Sequence, residues 1–193
     1  MANNIKDNIL TAYIKTKKKC VIYILGLPCT SKTKFGTFLA KDLNIEFINA
    51  NKYMDGYIEK DKIKIYEHPD NMKWNKIIEE VKKIKNVVIS GNYIHKDIEP
   101  DFVYFLDMNK TLCKQNLLES NASDNSKYIE PKTLDTYITE TLYPLYEKIK
   151  EQTQINKFIN IKEASTDEEI YDIIFNSLVA DMTTALDSIY KKK

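Results

Sequence analysis

Cys20 to Leu25, CVIYIL, is an unbroken apolar run, rich in β-branched residues. A strand with one wet face alternates apolar and polar residues, so a continuous run reads as a strand buried on both faces. It leads through GLPCTS into KTKFGTFLAKDL, where Phe35, Phe38 and Leu39 recur at helical spacing. A doubly covered strand that turns directly into an amphipathic helix points to an α/β fold with a mostly parallel sheet.

The rest of the chain repeats that alternation. IEFINA, NVVIS, DFVYFLD and KFINI read as four further strands. NMKWNKIIEEVKKI, KTLCKQNLLES and PKTLDTYITETLYPLYEKIKEQ read as helices. The stretch from Ser165 to the end reads as one long helix or two. It opens on a capping box, Ser165 or Thr166 before Glu168 or Glu169. The expectation is one three-layer α/β/α domain over residues 1–193, with a five-stranded, mostly parallel sheet. An N-terminal helix covers about 4–18 and a C-terminal helical extension about 178–190. Leu178, Val179, Met182, Leu186 and Ile189 stripe that extension, to dock on the domain or to form a homodimer. Ligands of parallel sheets bind beyond the carboxyl ends of the strands. Gly26, Asn51, Gly91 and Asp107 all fall at such ends and are expected to share one edge.

The stretch GLPCTSKT matches the phosphate-loop consensus G-x-x-x-x-G-K-[ST] except at Ser31, where the second glycine belongs. In such a loop, backbone N–H groups cradle phosphate at a helix N-terminus. The lysine reaches the β/γ oxygens and the hydroxyl binds Mg²⁺. Gly26, Pro28, Cys29, Thr30, Ser31, Lys32 and Thr33 are therefore the expected nucleotide-binding residues, with Thr33 on the metal and Lys32 also catalytic. The cofactors are ATP, or another NTP, and Mg²⁺. Serine at a negative φ costs little and its hydroxyl can cap the helix or donate to phosphate. At a positive φ it costs about 1 kcal/mol or more. The competing structural reading is an ordinary strand-to-helix turn with a serine N-cap.

Composition limits the partners. All 29 basic side chains are lysine and the formal net charge is +1. Nucleic acid is not expected as a ligand. No run approaches the ~20 apolar residues of a membrane span, so no membrane is expected. Cys20, Cys29 and Cys113 show neither metal spacing nor a paired framework, which suits a reducing, cytoplasmic compartment. Without arginine no bidentate guanidinium is available, and phosphate must be held by lysines, backbone amides or helix termini.

A second landmark is YEHPDNMKWNKIIEEV, Tyr66 to Val81. With the loop, it resembles the uridine kinase and phosphoribulokinase-like branch of P-loop kinases, whose matching element reads F-D-H-P-D. VVISGNY resembles that family's VVxEGI, DFVYFLD its D-x-x-I-F-V-D strand, and YITETLYPLYEKI its helix around a proline, here Pro144. The resemblance runs in order from about Lys19 to Ile161. It implies transfer of the γ-phosphoryl of ATP to a nucleoside hydroxyl.

Carried over position by position, the resemblance puts Glu67 on the sugar and His68 and Pro69 in the same turn. The histidine either caps that turn or touches substrate. Asn51 falls where the family has an activating aspartate, with Tyr53 and Met54 at its two aromatics. Ser90 falls on a glutamate, Gln115 and Asn116 on paired lid arginines, and Glu119 and Ser120 on a further arginine and aspartate. Asn51, Tyr53, Glu67 and His68 are the expected substrate-binding residues. Tyr53 and Tyr66 either stack a base or pack in the core. Asp55 is the candidate replacement base, and Lys110, Lys114, Lys127 and Lys132 the candidate lid cations. Asp107 is a strand cap or a site residue, and Cys29 a filler or a redox handle. Three functions compete: a nucleoside or nucleotide kinase, a degenerate nucleotide-binding protein with a regulatory or scaffold role, and a kinase for another small hydroxylated metabolite.

Overall fold

The computed structural model describes residues 2–60, 63–65, 68–123 and 135–191. Helix α1 (Ala2–Thr16) precedes strand β1 (Cys20–Gly26), helix α2 (Lys32–Leu43) and strand β2 (Glu46–Asn49). A hairpin of β3 (Ile58–Lys60) and β4 (Ile63–Ile65) leads to α3 (Trp74–Lys83) and β5 (Asn86–Gly91). Strand β6 (Phe102–Met108), α4 (Lys110–Ser123), α5 (Tyr143–Gln152), β7 (Lys157–Ile161) and α6 (Asp167–Tyr190) follow. The main sheet has the order β2-β5-β1-β6-β7, and each neighbouring pair is parallel.

β1 is central and buried along its whole length, as the apolar run requires. Its alternate residues feed two cores. Ile22 and Ile24 pack with Phe35 and Leu39 of α2, Leu10 and Tyr13 of α1, and Ile174, Leu178 and Met182 of α6. Tyr23 and Leu25 pack on the other face with Ile77 and Val81 of α3, Cys113 and Leu117 of α4, and Tyr146 of α5. The result is the three-layer α/β/α arrangement anticipated from the alternation. The amino edge is clamped by Asp101, whose carboxylate accepts from the Val21 N–H at 2.9 Å and pairs with Lys17 at 3.2 Å.

Several elements differ from the sequence reading. The β3–β4 hairpin has three-residue strands in a charged stretch, too short to give a period. α3 begins at Trp74 rather than Asn71, because Pro69–Asn71 forms a 3₁₀ turn capped by His68. α1 spans Ala2–Thr16 rather than 4–18. The segment after Ser165 is one helix of 24 residues, and its capping box is Thr166 with Glu169. Leu178, Met182 and Leu186 of the C-terminal stripe are buried in their own domain. The helical stretch around Pro144 carries a π turn, Ile138–Leu142, just before α5. Proline has no N–H to continue the ladder, which suits a local change of pitch. No helix among the described residues is long and apolar enough to cross a membrane.

Candidate functional site

The parallel sheet brings the carboxyl ends of β1, β2, β5 and β6 to one edge, and Gly26, Asn51, Gly91 and Asp107 lie there as anticipated. From Gly26 the chain crosses five residues and enters α2 at Lys32. Gly26 is obligatory: a Cβ would lie 2.8 Å from Thr30 Oγ1 and 3.0 Å from the Leu106 carbonyl oxygen. Cys29 (φ 63°) and Ser31 (φ 56°) are left-handed, while Thr30 between them is not. Such alternation turns successive N–H groups toward one concavity, an anion nest. It opens on the N-terminus of α2, where the helix dipole adds to it.

Ser31 thus takes the costlier of its two conformations, about 1–2 kcal/mol above an ordinary backbone. Its side chain makes no capping hydrogen bond, so the ordinary serine N-cap does not describe this turn. Lys32 is 4% exposed and its Nζ donates to the Leu27 carbonyl at 2.8 Å. Thr30 Oγ1 donates to the same carbonyl, also at 2.8 Å. Thr33 opens the first turn of α2 and is partly exposed. The cradle geometry, the steric demand at Gly26 and the lysine suit a polyphosphate. Among the described residues no cluster of three metal-ligating side chains exists. Thr33 is the loop hydroxyl that would contact a Mg²⁺ ion carried in with a polyphosphate.

Beside the cradle, Asn51 and Asn92 form a reciprocal pair that ties the ends of β2 and β5 together. Asn51 Nδ2 donates to Asn92 Oδ1 at 3.1 Å, and the Asn92 N–H donates to Asn51 Oδ1 at 3.2 Å. Asn92 was not singled out from sequence; its only signal was its place directly after a strand-terminal glycine. Ser90, one strand position before Gly91, is fully buried and its hydroxyl has no partner among the described residues.

Several other expected site residues among those described are engaged locally. Asp55 is exposed and ion-paired with Lys73, which holds its carboxyl below the usual range. Its N–H donates to the Asn71 carbonyl at 2.9 Å, folding this loop onto the start of α3. The Tyr53 hydroxyl donates to Glu80 of α3, and that bond pushes the phenol up to about 12. His68 Nδ1 accepts from the Asp70 N–H at 3.2 Å, the capping role of the two considered. Asp107 pairs with Lys150 at 2.9 Å. Lys114 pairs with Asp135 at 2.6 Å, and Gln115 donates to Glu119 at 3.1 Å. Cys113 is buried and its thiol is pushed up to about 12, chiefly by desolvation. Tyr66, Glu67, Lys127 and Lys132 lie outside the described residues. A large open cleft, about 730 Å³, runs from Pro69 and Trp74 past Tyr93 and Ile149, the last two of which also border the Gly26–Pro28 loop. At its other end Asp101 and Asn156 stand before the amino ends of β6 and β7.

No family model and no curated protein matches the chain. Solved structures do. Shikimate kinase from Bacteroides thetaiotaomicron superposes with TM-score 0.52 at 18% identity, over 87% of this chain and 98% of that one. A gluconokinase from Sinorhizobium meliloti gives 0.51 at 11% identity, over 92% and 99%. A sugar kinase from a Janibacter species gives 0.50 at 12%, over 83% and 94%. The fold is that of the P-loop kinases. At these identities the likeness concerns architecture, and it does not single out the uridine kinase branch.

Proposed function

We propose that the chain binds a nucleoside triphosphate, ATP first among them, as its Mg²⁺ complex in the Gly26–Thr33 cradle. It would transfer the terminal phosphoryl group to a hydroxyl of a small metabolite. The observation that carries this reading is the left-handed pair Cys29 and Ser31 flanking Thr30, directly before Lys32 at a helix N-terminus. Strained residues persist where the surroundings enforce them, and an anion nest is the use that fits this place. Phosphoryl transfer asks mainly for positioning and charge neutralisation, which amides, Lys32 and Thr33 supply. The acceptor oxygen bonds to phosphorus as the bridge to the β-phosphate breaks, and the acceptor's proton passes to a base. Asp55, which would have to leave its ion pair with Lys73 to take that proton, is the carboxylate assigned to that role here.

Two lines bear on the acceptor. The EHPD motif favours a ribose, and the named substrates of the similar folds favour a sugar or another polyhydroxylated molecule. Nucleosides are the first class to test and sugars the second. A second reading has its own support. Asn51 and Asn92 satisfy one another where a general base would stand, which fits a protein that binds nucleotide without efficient transfer.

Mg·ATP should raise the melting temperature of the wild type, and Lys32→Ala should abolish that shift. A shift that survives Lys32→Ala would remove the cradle from nucleotide binding. Incubation with ATP and panels of nucleosides and sugars, read by phosphorus NMR, separates transfer from binding. If product forms, Asp55→Asn should lower its rate by about 10²-fold or more; an unchanged rate would strike Asp55 from the mechanism.

A further inference from the structure

Leu27 is the junction of the phosphate loop. Its carbonyl accepts from both Thr30 Oγ1 and Lys32 Nζ, at 2.8 Å each. Its N–H donates to the phenol oxygen of Tyr146 at 3.3 Å. That phenol donates in turn to the Leu106 carbonyl at 2.6 Å, on the strand beside β1. Tyr146 is 2% exposed and belongs to α5, far along the chain from the loop. Its ring lies 4.7 Å from Phe105, and Lys150 Nζ stands 5.1 Å from its centroid.

The placement is built from several contacts. Tyr143, Tyr146 and Lys150 recur at i, i+3 and i+7, one face of α5. They bind Met108, Leu106 and Asp107 of β6 in turn. The π turn just before them closes with the Tyr143 N–H on the Ile138 carbonyl. It resets the phase of the helix so that Ile138 and Leu142 stay buried while the tyrosines reach the strand. One member of this face, Tyr146, also reaches the loop.

A hold on the Leu27 N–H matters for Lys32 because of the next residue. Pro28 confines Leu27 to extended conformations. The two peptide planes that meet at the Leu27 Cα therefore do not turn independently. Fixing the N–H on one side fixes the direction of the carbonyl on the other, the one on which Lys32 rests.

We infer that Tyr146 is a positioning residue of the phosphate loop, coupling helix α5 to nucleotide affinity through the Leu27 N–H and Pro28. The inference rests on the nucleotide-binding reading above.

The test is calorimetric titration with Mg·ADP, which binds without turnover. Tyr146→Phe should weaken affinity about tenfold, the size of one buried hydrogen bond lost. Tyr143→Phe, whose lost hydrogen bond goes to Met108 and not to Leu27, should lower thermal stability and leave affinity within about twofold. In a Pro28→Ala background, Tyr146→Phe should cost less than it does alone, because the linkage is already loosened. If Tyr146→Phe does not fold, 4-aminophenylalanine at that position keeps the ring and the donor to Leu106 but accepts poorly, and it should weaken binding in the same direction. Wild-type affinity in the Tyr146 variants, or equal losses for Tyr143→Phe and Tyr146→Phe, would overturn the inference alone. A wild type that binds no Mg·ADP would overturn the nucleotide reading and this inference with it.

Discussion

The ends of β1 and β5 sit side by side on one sheet edge and are built in opposite ways. After β1, the loop carries Cys29 and Ser31 in left-handed conformations that glycine would adopt without strain, yet the concave arrangement of amides is kept. After β5 and β2, Asn92 and Asn51 take no left-handed backbone, and their side chains form a closed pair of amides. The difference follows from what each region uses. A phosphate cradle is made of peptide N–H groups, which every residue except proline carries, so changing letters costs strain and leaves the donors in place. A closed amide pair is a side-chain arrangement, and an amide cannot accept a proton as a carboxylate can, so that end offers structure rather than a base.

The contrast can be broken most forcefully at Gly26. Gly26→Ala places a Cβ against Thr30 and the Leu106 carbonyl and should cost about 3 kcal/mol, read by urea denaturation. A cost near zero would mean the loop shifts freely and is not a preset cradle. At the other strand end, Asn51→Asp removes the donor to Asn92 Oδ1 and should cost about 1–2 kcal/mol. The same variant should raise phosphoryl transfer by about 10²-fold if a base is all that is missing there. Transfer that stays flat would place the deficiency elsewhere, with Ser90 the next position to change. Smaller and opposite in sign, Ser31→Gly should stabilise by about 0.5–1 kcal/mol, strain relief being partly offset by the freer unfolded chain. Destabilisation instead would show that the serine side chain holds the turn by a contact of its own.

The mildest prediction concerns pH. Cys20 and Cys113 are each pushed from near 9 up to about 12, mainly by burial. The folded state keeps these protons while the unfolded chain releases them, so their contribution is whole below pH 9 and falls as pH rises from 9 toward 12. Alkaline melting should follow that window, and at pH 8 an alkylating reagent should label Cys29 well before either buried thiol. Equal labelling of all three would contradict the packing of β1 and α4.

The apolar run at β1 and the alternation behind it determined the layers, the sheet's parallel character and the edge that gathers the strands' carboxyl ends. Each of these follows from periodicity and burial, which are written locally. The capping box at Thr166 and Glu169 was legible for the same reason. The hairpin at Ile58–Ile65 and the π turn before α5 were not, since short charged strands and a local pitch change leave no period to read. Sequence narrowed Ser31 to two conformations with different consequences, and only the fold selected the left-handed one. Tertiary structure alone paired Asn51 with Asn92, Asp55 with Lys73, and Tyr146 with Leu27. These partners are distant in sequence or belong to different elements. No pattern within one segment encodes which side chain another segment will bring alongside it.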